Sequence, residues 1–525
     1  MRDFGLHTKK EFLMKDWIKN SIIYEIYPTS FYDGNGDGIG DFVGIEAKIP
    51  YLVDLGINTV WMNPFYKSPF EDGGYDVTDY CAVDEKFGTM EEFESMMRAF
   101  KKAGIRVIVD LVIGHTSDKH PWFLESKKRN PNPKYKDWYI WTDNCFRGGP
   151  RVMLGVSDRD GGYLVNYYAI QPALNFGYNE ITAPWQIHYT DPRLKPLRDE
   201  ILSIMRFWLE KGVDGFRVDM AQSLIKQDRS GEGCRWLWNI LIGETKKLYP
   251  DCCFLAEWGN PKAAAACGFD LDYLCHATPA YNEIFRTDKG ENIAEWFEAF
   301  GKTYFASHGE GSFQSFASYT ADLYKDENVG FSVPTGYHDM IRIADNKSVD
   351  VLKGIFAFVL TYKCIPQIEY GDEIGIKHNW KLHKDGGYVR TGARTPMQWD
   401  NTRYRGFTTA KRAYLPTETA KSRCVESQLA DEKSLLNTVK KLISLHKNHP
   451  ALAFDGSVKV LSVGYPLEYV REKDGEKIYV AINASATPRE VTAPRKIKEV
   501  LLAEGAAASG KTVTMKGGSY FIAKL

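Results

Sequence analysis

Four short segments of this 525-residue chain each end an apolar run with side chains able to carry charge or move protons. They read Asp110-Leu-Val-Ile-Gly-His115, Gly215-Phe-Arg217-Val-Asp219, Phe254-Leu-Ala-Glu257-Trp258 and Gly336-Tyr-His338-Asp339. Side chains two apart on a strand share a face, so Arg217 and Asp219 point the same way. A guanidinium beside a carboxyl group favours its ionised form, which suits Asp219 to act as a nucleophile. Glu257 follows apolar residues and precedes Trp258. Desolvation there favours the protonated form, which suits a general acid. Two carboxyl groups in opposed protonation states, with Asp339 as a third, are the equipment for glycosidic cleavage. One such residue alone could be a structural ion pair; four strand ends together favour a catalytic cluster. A fifth segment, Asp33-Gly-Asn35-Gly-Asp37-Gly38-Ile39-Gly-Asp41, sets oxygen donors at alternate positions. It matches the first nine places of an EF-hand loop, with glycine at the sixth, but Gly44 stands where the closing glutamate belongs. Side-chain oxygens of Asp33, Asn35, Asp37 and Asp41 with the Ile39 carbonyl suit a structural Ca²⁺, or Mg²⁺.

These groups need a scaffold that brings distant strand ends together. Strand-like runs occur at 21–27, 58–62, 106–112, 213–219, 252–257, 269–274, 331–338 and 365–370. Helical periodicity separates several of them, at 90–103 and 196–211 for example. Buried, non-alternating strands alternating with helices mean a parallel sheet. About eight such units predict an α/β chain with a closed (β/α)₈ TIM barrel, whose chemistry lies at the C-terminal strand ends. Residues 113–185 are rich in Pro, Gly, Asp and aromatics and carry no clear crossover helix; so long an insertion is usually functional. Beyond residue 446 the reading turns to strands at 458–463, 467–472, 477–483 and 512–525, a small antiparallel β-sandwich. The division is therefore 1–112 and 186–445 for the barrel, 113–185 for an insertion after the third strand, and 446–525 for the β domain.

Composition narrows the function. Sixty-seven Lys and Arg balance 68 Asp and Glu, which argues against a nucleic-acid partner, since binding to phosphates needs a basic excess. No apolar run approaches the ~20 residues of a membrane span. The charged N-terminus lacks a signal core, and nine cysteines without CxxC or zinc spacing read as reduced thiols, so a cytoplasmic location is expected. Aromatics make up 14% of the chain, with 30 tyrosines, a composition suited to sugar rings.

The four strand-end motifs resemble the signature regions of the α-amylase superfamily, glycoside hydrolase family 13, whose members retain anomeric configuration. The resemblance implies that Asp219 is the nucleophile, Glu257 the acid/base and Asp339 the transition-state stabiliser. It also implies that Arg217, His115 and His338 hold the sugar while Tyr75 stacks beneath it. Glu71-Asp72-Gly-Gly-Tyr75 and Arg390-Thr-Gly-Ala-Arg394 resemble loops of exo-acting α-glucosidases, in which an Asp and an Arg at the positions of Asp72 and Arg390 pair and close the pocket. Gln171-Pro-Ala-Leu-Asn175 resembles a tag of the oligo-1,6-glucosidase branch. Four positions depart from the pattern: Gly114 and Tyr337 stand where Asn is usual, Ala173 where Asp is usual, and Met220 follows the nucleophile. The implied activity is release of terminal glucose from short α-glucosides. Alternatives are a trehalose- or isomaltulose-synthase-like transglucosylase, an endo-acting α-amylase, and a non-catalytic scaffold.

Overall fold

The computed structural model describes residues 14–286, 303–306, 309, 311–382 and 389–525. Eight parallel strands close a barrel: β1 (Ile23–Ile26), β2 (Thr59–Met62), β3 (Arg106–Leu111), β4 (Gly215–Val218), β5 (Cys253–Ala256), β6 (Leu271–Tyr273), β7 (Phe331–Pro334) and β8 (Ile365–Glu369), with β8 returning beside β1. All eight sit within the runs read from the sequence. Nearly every residue in them is buried, the pattern of strands covered on both faces.

The helices show why they form where they do. In α1 (Met90–Lys102), Thr89 and Glu92 make a reciprocal capping box, acidic residues fill the first turn and Lys101 and Lys102 the last. Such a cap stabilises a helix by about 1 kcal/mol. The same helix buries Phe93, Met96, Met97 and Phe100 on one face. Likewise α2 (Lys195–Glu210) buries Leu197, Ile201, Ile204, Met205, Trp208 and Leu209, and α3 (Glu232–Leu248) buries Cys234, Leu237, Trp238, Leu241 and Ile242.

Two excursions from the barrel reach over its C-terminal end. A two-stranded ribbon, Tyr66–Lys67 with Asp79–Val83, carries the Asp72 loop. The longer excursion between β3 and α2 holds one short helix, Pro121–Ser126, and a ribbon of Val152–Met153 with Tyr163–Leu164. Its own core is aromatic, with Phe123, Trp141 and Tyr163 in ring contact.

After α4 (Val349–Thr361) and α5 (Leu435–Asn448) comes the β domain, antiparallel throughout. It contains β9 (Ser457–Val463), β10 (Leu467–Lys473), β11 (Glu476–Asn483), β12 (Arg489–Thr492), β13 (Glu499–Ser509) and β14 (Thr512–Lys524). They are hydrogen-bonded as one six-stranded sheet in the order β9-β10-β11-β14-β12, with β13 on β14. The long strand β14 serves both halves: its start pairs with β12 and its end with β11. Val513 and Met515 from the start share a buried cluster with Phe521 and Ala523 from the end. The opposite face packs on α4, which is buried from Val351 through Thr361. Arg471 of β10 donates to the Thr361 carbonyl at 2.8 Å, and the Tyr469 and Thr361 hydroxyls lie 2.5 Å apart. All nine cysteines are unpaired; Cys145 is exposed, Cys81 half-buried and the other seven buried. Among the described residues no helix is long and apolar enough to cross a membrane.

Candidate active site

Arg217, wholly buried on β4, is the hub of the site. Its Nη1 lies 2.5 Å from Asp110 Oδ1 and 3.2 Å from Asp219 Oδ1, and its Nη2 lies 2.7 Å from Glu257 Oε2 and 2.8 Å from the Tyr273 hydroxyl. One cation thus faces three carboxyl groups, and the excess negative charge must be relieved by protons. Burial pushes the Asp219 carboxyl up, the charge of Glu257 adds to this, and Arg217 only partly opposes it. For Glu257, burial acts in the same direction, but Arg217 and the Met220 amide, which donates to Oε2 at 3.0 Å, pull its carboxyl below the ordinary range. These directions run opposite to those expected from the sequence, which placed the charge on Asp219 and the proton on Glu257, and the two carboxyl groups titrate as a pair. The reason is reach: Arg217 comes closer to Glu257 than to its own strand neighbour.

A second half of the site is built around Asp339. His338 Nε2 lies 3.2 Å from Asp339 Oδ2, Arg394 Nη2 lies 2.7 Å from Oδ1, and Arg390 Nη1 lies 3.0 Å from the same oxygen. Burial would raise the Asp339 carboxyl, but His338, Arg390 and Arg394 outweigh it and hold it well below the usual carboxylate range. Arg390 also pairs through Nη2 with Asp72 Oδ1, while Gln171 Nε2 donates to Asp72 Oδ2 at 2.7 Å. The Asp72–Arg390 pair expected from the sequence is therefore formed, with Gln171 of the insertion behind it. The loop that carries Asp72 runs close against Arg394. Gly73 has φ +60, and a Cβ there would lie 2.6 Å from Arg394 Nη1. Tyr75 stacks on His338 with ring centroids 5.1 Å apart, and its hydroxyl bonds Asn63 and Asp110. His115 Nε2 lies 2.9 Å from the Tyr75 carbonyl, and burial lowers this imidazole to about 4, so it is neutral.

All ten catalytic and sugar-binding positions named from the sequence thus join one network. Its members are not equally hidden: Arg217 is inaccessible, whereas the Asp339 side chain is 24% exposed, Arg390 14%, Glu257 11% and Asp219 10%. The exposed set is the one that can touch a substrate.

The departures from the family pattern have local answers. A Cβ at Gly114 would lie 2.8 Å from Asn166 Nδ2. Asn166, from the insertion, occupies that space and faces His115 Nδ1 at 3.1 Å. Tyr337 turns its hydroxyl to His276. Met220 adopts a left-handed conformation, φ 43 and ψ 46, strained for a residue with a side chain, and this aims its amide at Glu257.

The description "Alpha amylase, catalytic domain" matches residues 25–237 and 297–455. The chain belongs to the alpha-amylase family. Among curated proteins, this family member is 30% identical over 536 residues to oligo-1,6-glucosidase of Parageobacillus thermoglucosidasius, covering 89% of this chain and 90% of that protein. It is also 30% identical over 527 residues to trehalose synthase/amylase TreS of Mycolicibacterium smegmatis, covering 90% of this chain and 83% of that protein. Among solved structures, isomaltulose synthase (PalI) from Klebsiella sp. LX3 superposes with a TM-score of 0.80 at 25% identity, over 97% of this chain and 99% of that one.

Sequence reasoning did not name Glu25, Asn63, Asp110, Asn166, Tyr273 or Arg394 as site residues. Asp110 and Arg394 lie inside quoted motifs, and a carboxylate in the otherwise apolar β1 was a readable signal for Glu25. Tyr27 also lines the site, its ring lying against His338 and Arg394. Two nearby aromatics are engaged elsewhere: Tyr24 bonds the buried Glu373, and Trp399 donates to the Phe31 carbonyl.

In the Asp33–Asp41 loop the side chains are engaged by backbone amides. Asp33 accepts from Gly36 and Gly38, Asn35 from Asp37, Asp37 from Ile39, and Asp41 from Gly34, Asn35 and Gly44. The last of these caps the helix Phe42–Ala47. The donors are chemically suited to a hard cation. Among the described residues, however, no three His, Cys, Asp or Glu side chains converge as ligands.

Proposed function

We propose that the protein is an exo-acting α-glucosidase that works with retention, releasing terminal glucose from short α-glucosides. The observation that carries this reading is the Asp72–Arg390 pair braced by Gln171 and joined to Asp339. A charged wall of this kind leaves room for a chain end and stops a chain from running through. Asp219 attacks the anomeric carbon as Glu257 protonates the leaving oxygen; Glu257 then takes a proton from the incoming water that hydrolyses the glucosyl ester. Glu257 must therefore hold the proton of the pair when the leaving oxygen departs. Asp339 meets ring hydroxyls whose bonds strengthen at the transition state.

A second reading keeps the site and changes the acceptor, a sugar in place of water. The similarity to trehalose and isomaltulose synthases supports it. Incubation with maltose, isomaltose, sucrose, trehalose and soluble starch separates the readings. Free glucose from disaccharides, with starch left intact, is the expected result. Disaccharide rearrangement without net glucose favours the second reading, and internal cleavage of starch overturns the exo assignment. Asp219→Ala loses turnover by on the order of 10⁴-fold or more; full activity in that variant removes the nucleophile assignment.

We further propose that the Asp33–Asp41 loop takes a structural Ca²⁺ or Mg²⁺, on the strength of its alternating oxygen donors. A cytoplasmic location is supported by nine unpaired thiols.

A further inference from the structure

The barrel interior beneath Asp339 contains a carboxylate pair that the proposed reaction does not use. Glu25 on β1 and Glu369 on β8 are partners in strand register, and both are inaccessible to solvent. Glu25 Oε1 lies 2.7 Å from His338 Nδ1 and also faces the His338 backbone amide at 3.4 Å. A carboxylate only accepts, so Nδ1 carries a hydrogen. On the far side of the ring, Nε2 lies 3.2 Å from Asp339 Oδ2. The imidazole is thus placed between two carboxylates, one structural and one at the substrate, with Tyr75 and Tyr27 stacked on its ring.

We propose that Glu25 is a positioning residue that keeps His338 doubly protonated, so that the imidazolium holds Asp339 ionised and in place for the sugar. The other groups around His338 fit this state. Burial alone would lower the imidazole, but Asp339 and Glu25 together raise it to about 9. Glu369 is pushed well up by burial, with Asp372 and Glu25 adding to the effect against Arg342. Asp110 on β3 feels the His338 charge as a lowering influence on its own carboxyl, although burial raises it overall. The neutral Asn63 at the end of β2 places its amide nitrogen 3.0 Å from Nδ1, and a protonated Nδ1 requires that amide to turn so that its otherwise unpartnered oxygen accepts; Arg394 spends its Nε on the His338 carbonyl, away from the ring. A histidine with one carboxylate neighbour would titrate as that neighbour came and went with substrate. With a second, permanent one, its charge survives each turnover.

The kinetic arm rests on the glucosidase reading; the spectroscopic arm does not. In ¹⁵N-histidine-labelled full-length protein, with His338 assigned by comparison with His338→Asn, the ring is expected doubly protonated at pH 7 and titrating near 9. Glu25→Gln brings that titration down by a unit or more, and Glu25→Asp, which keeps the charge, restores it most of the way. In parallel, hydrolysis of p-nitrophenyl α-glucoside by Glu25→Gln falls on the order of 10-fold at alkaline pH, the loss of one charge-assisted bond. Activity recovers as the pH is lowered, which a merely structural role would not produce. A neutral His338 at pH 7 in the unaltered protein, or a titration unmoved in Glu25→Gln, overturns the proposal. Where Glu25→Gln does not fold, the titration of the unaltered protein decides. Where no glucoside is turned over, the glucosidase reading fails and the His338 titration still decides this one.

Discussion

Asp72→Ala tests the pocket wall most directly. The substitution removes the acceptor of two charge-assisted bonds, one from Gln171 at 2.7 Å and one from Arg390, together with the group proposed to hold the terminal glucose. Arg390 is not left stranded, because Asp339 still holds its Nη1 at 3.0 Å. The folding cost is therefore small, about 1 kcal/mol, whereas the binding loss is one good bond to a charged group, about 2 kcal/mol. That converts to roughly a 30-fold fall in kcat/KM for maltose, carried mostly by KM. Arg390→Ala is expected to cost a similar factor. Because the two side chains act as one wall, the double variant should lose roughly 30-fold again rather than the ~900-fold product, a coupling of about 2 kcal/mol. The assay is initial-rate kinetics on maltose and p-nitrophenyl α-glucoside for all four proteins, with thermal melting alongside. Losses that multiply in the double variant refute the wall as a unit. A large fall in Tm with unchanged KM moves the pair from substrate binding to folding.

Other expectations follow from the same geometry. Asp219 and Glu257 share one proton around Arg217, so acidification protonates both and removes the nucleophile, while alkalinisation strips the last proton and removes the acid. The pH profile of kcat/KM should be a bell whose limbs belong to the pair, and a flat profile from about pH 4 to 9 contradicts the shared proton. Chelation should lower Tm by about 5 °C if the Asp33–Asp41 loop holds a cation at saturation. An unmoved Tm, with no ⁴⁵Ca²⁺ retained on gel filtration, ends that proposal. With a thiol reagent, Cys145 should react at once and Cys81 slowly, since burial pushes the Cys81 thiol up to about 11, while the seven buried cysteines wait for denaturant. Two or more fast thiols would contradict the packing around them.

The barrel strands were legible because each is buried on both faces and so reads as an unbroken apolar run. Strands β12 and β13 were not. Arg489–Thr492 is largely exposed, and Glu499–Ser509 contains Ala-Glu-Gly-Ala-Ala-Ala-Ser, a composition of low strand preference. Their conformation comes from pairing with β14, which a local reading does not see. The chemistry at the site was legible because Arg217 and Asp219 lie two apart on one strand and His338 directly precedes Asp339. What escaped depends on groups far apart in the chain: Glu25 meets His338 across 313 positions, and Asn166 fills the gap left at Gly114. The balance between the two carboxyl groups was beyond reach for the same reason, since it turns on Arg217 standing 2.7 Å from one and 3.2 Å from the other.

From Val351 onward the helix α4 has no wet side: the barrel takes one flank and the β domain the other. A chain cut before residue 457 would bare a strip of Ile, Phe, Val and Leu and strand the Thr361 carbonyl and hydroxyl that Arg471 and Tyr469 now satisfy. The last seventy residues are thus a lid on the enzyme's own framework, not a detachable accessory. Engineers trimming the protein for size, or swapping its tail for that of a relative, should find insoluble material unless α4 is redesigned with the cut.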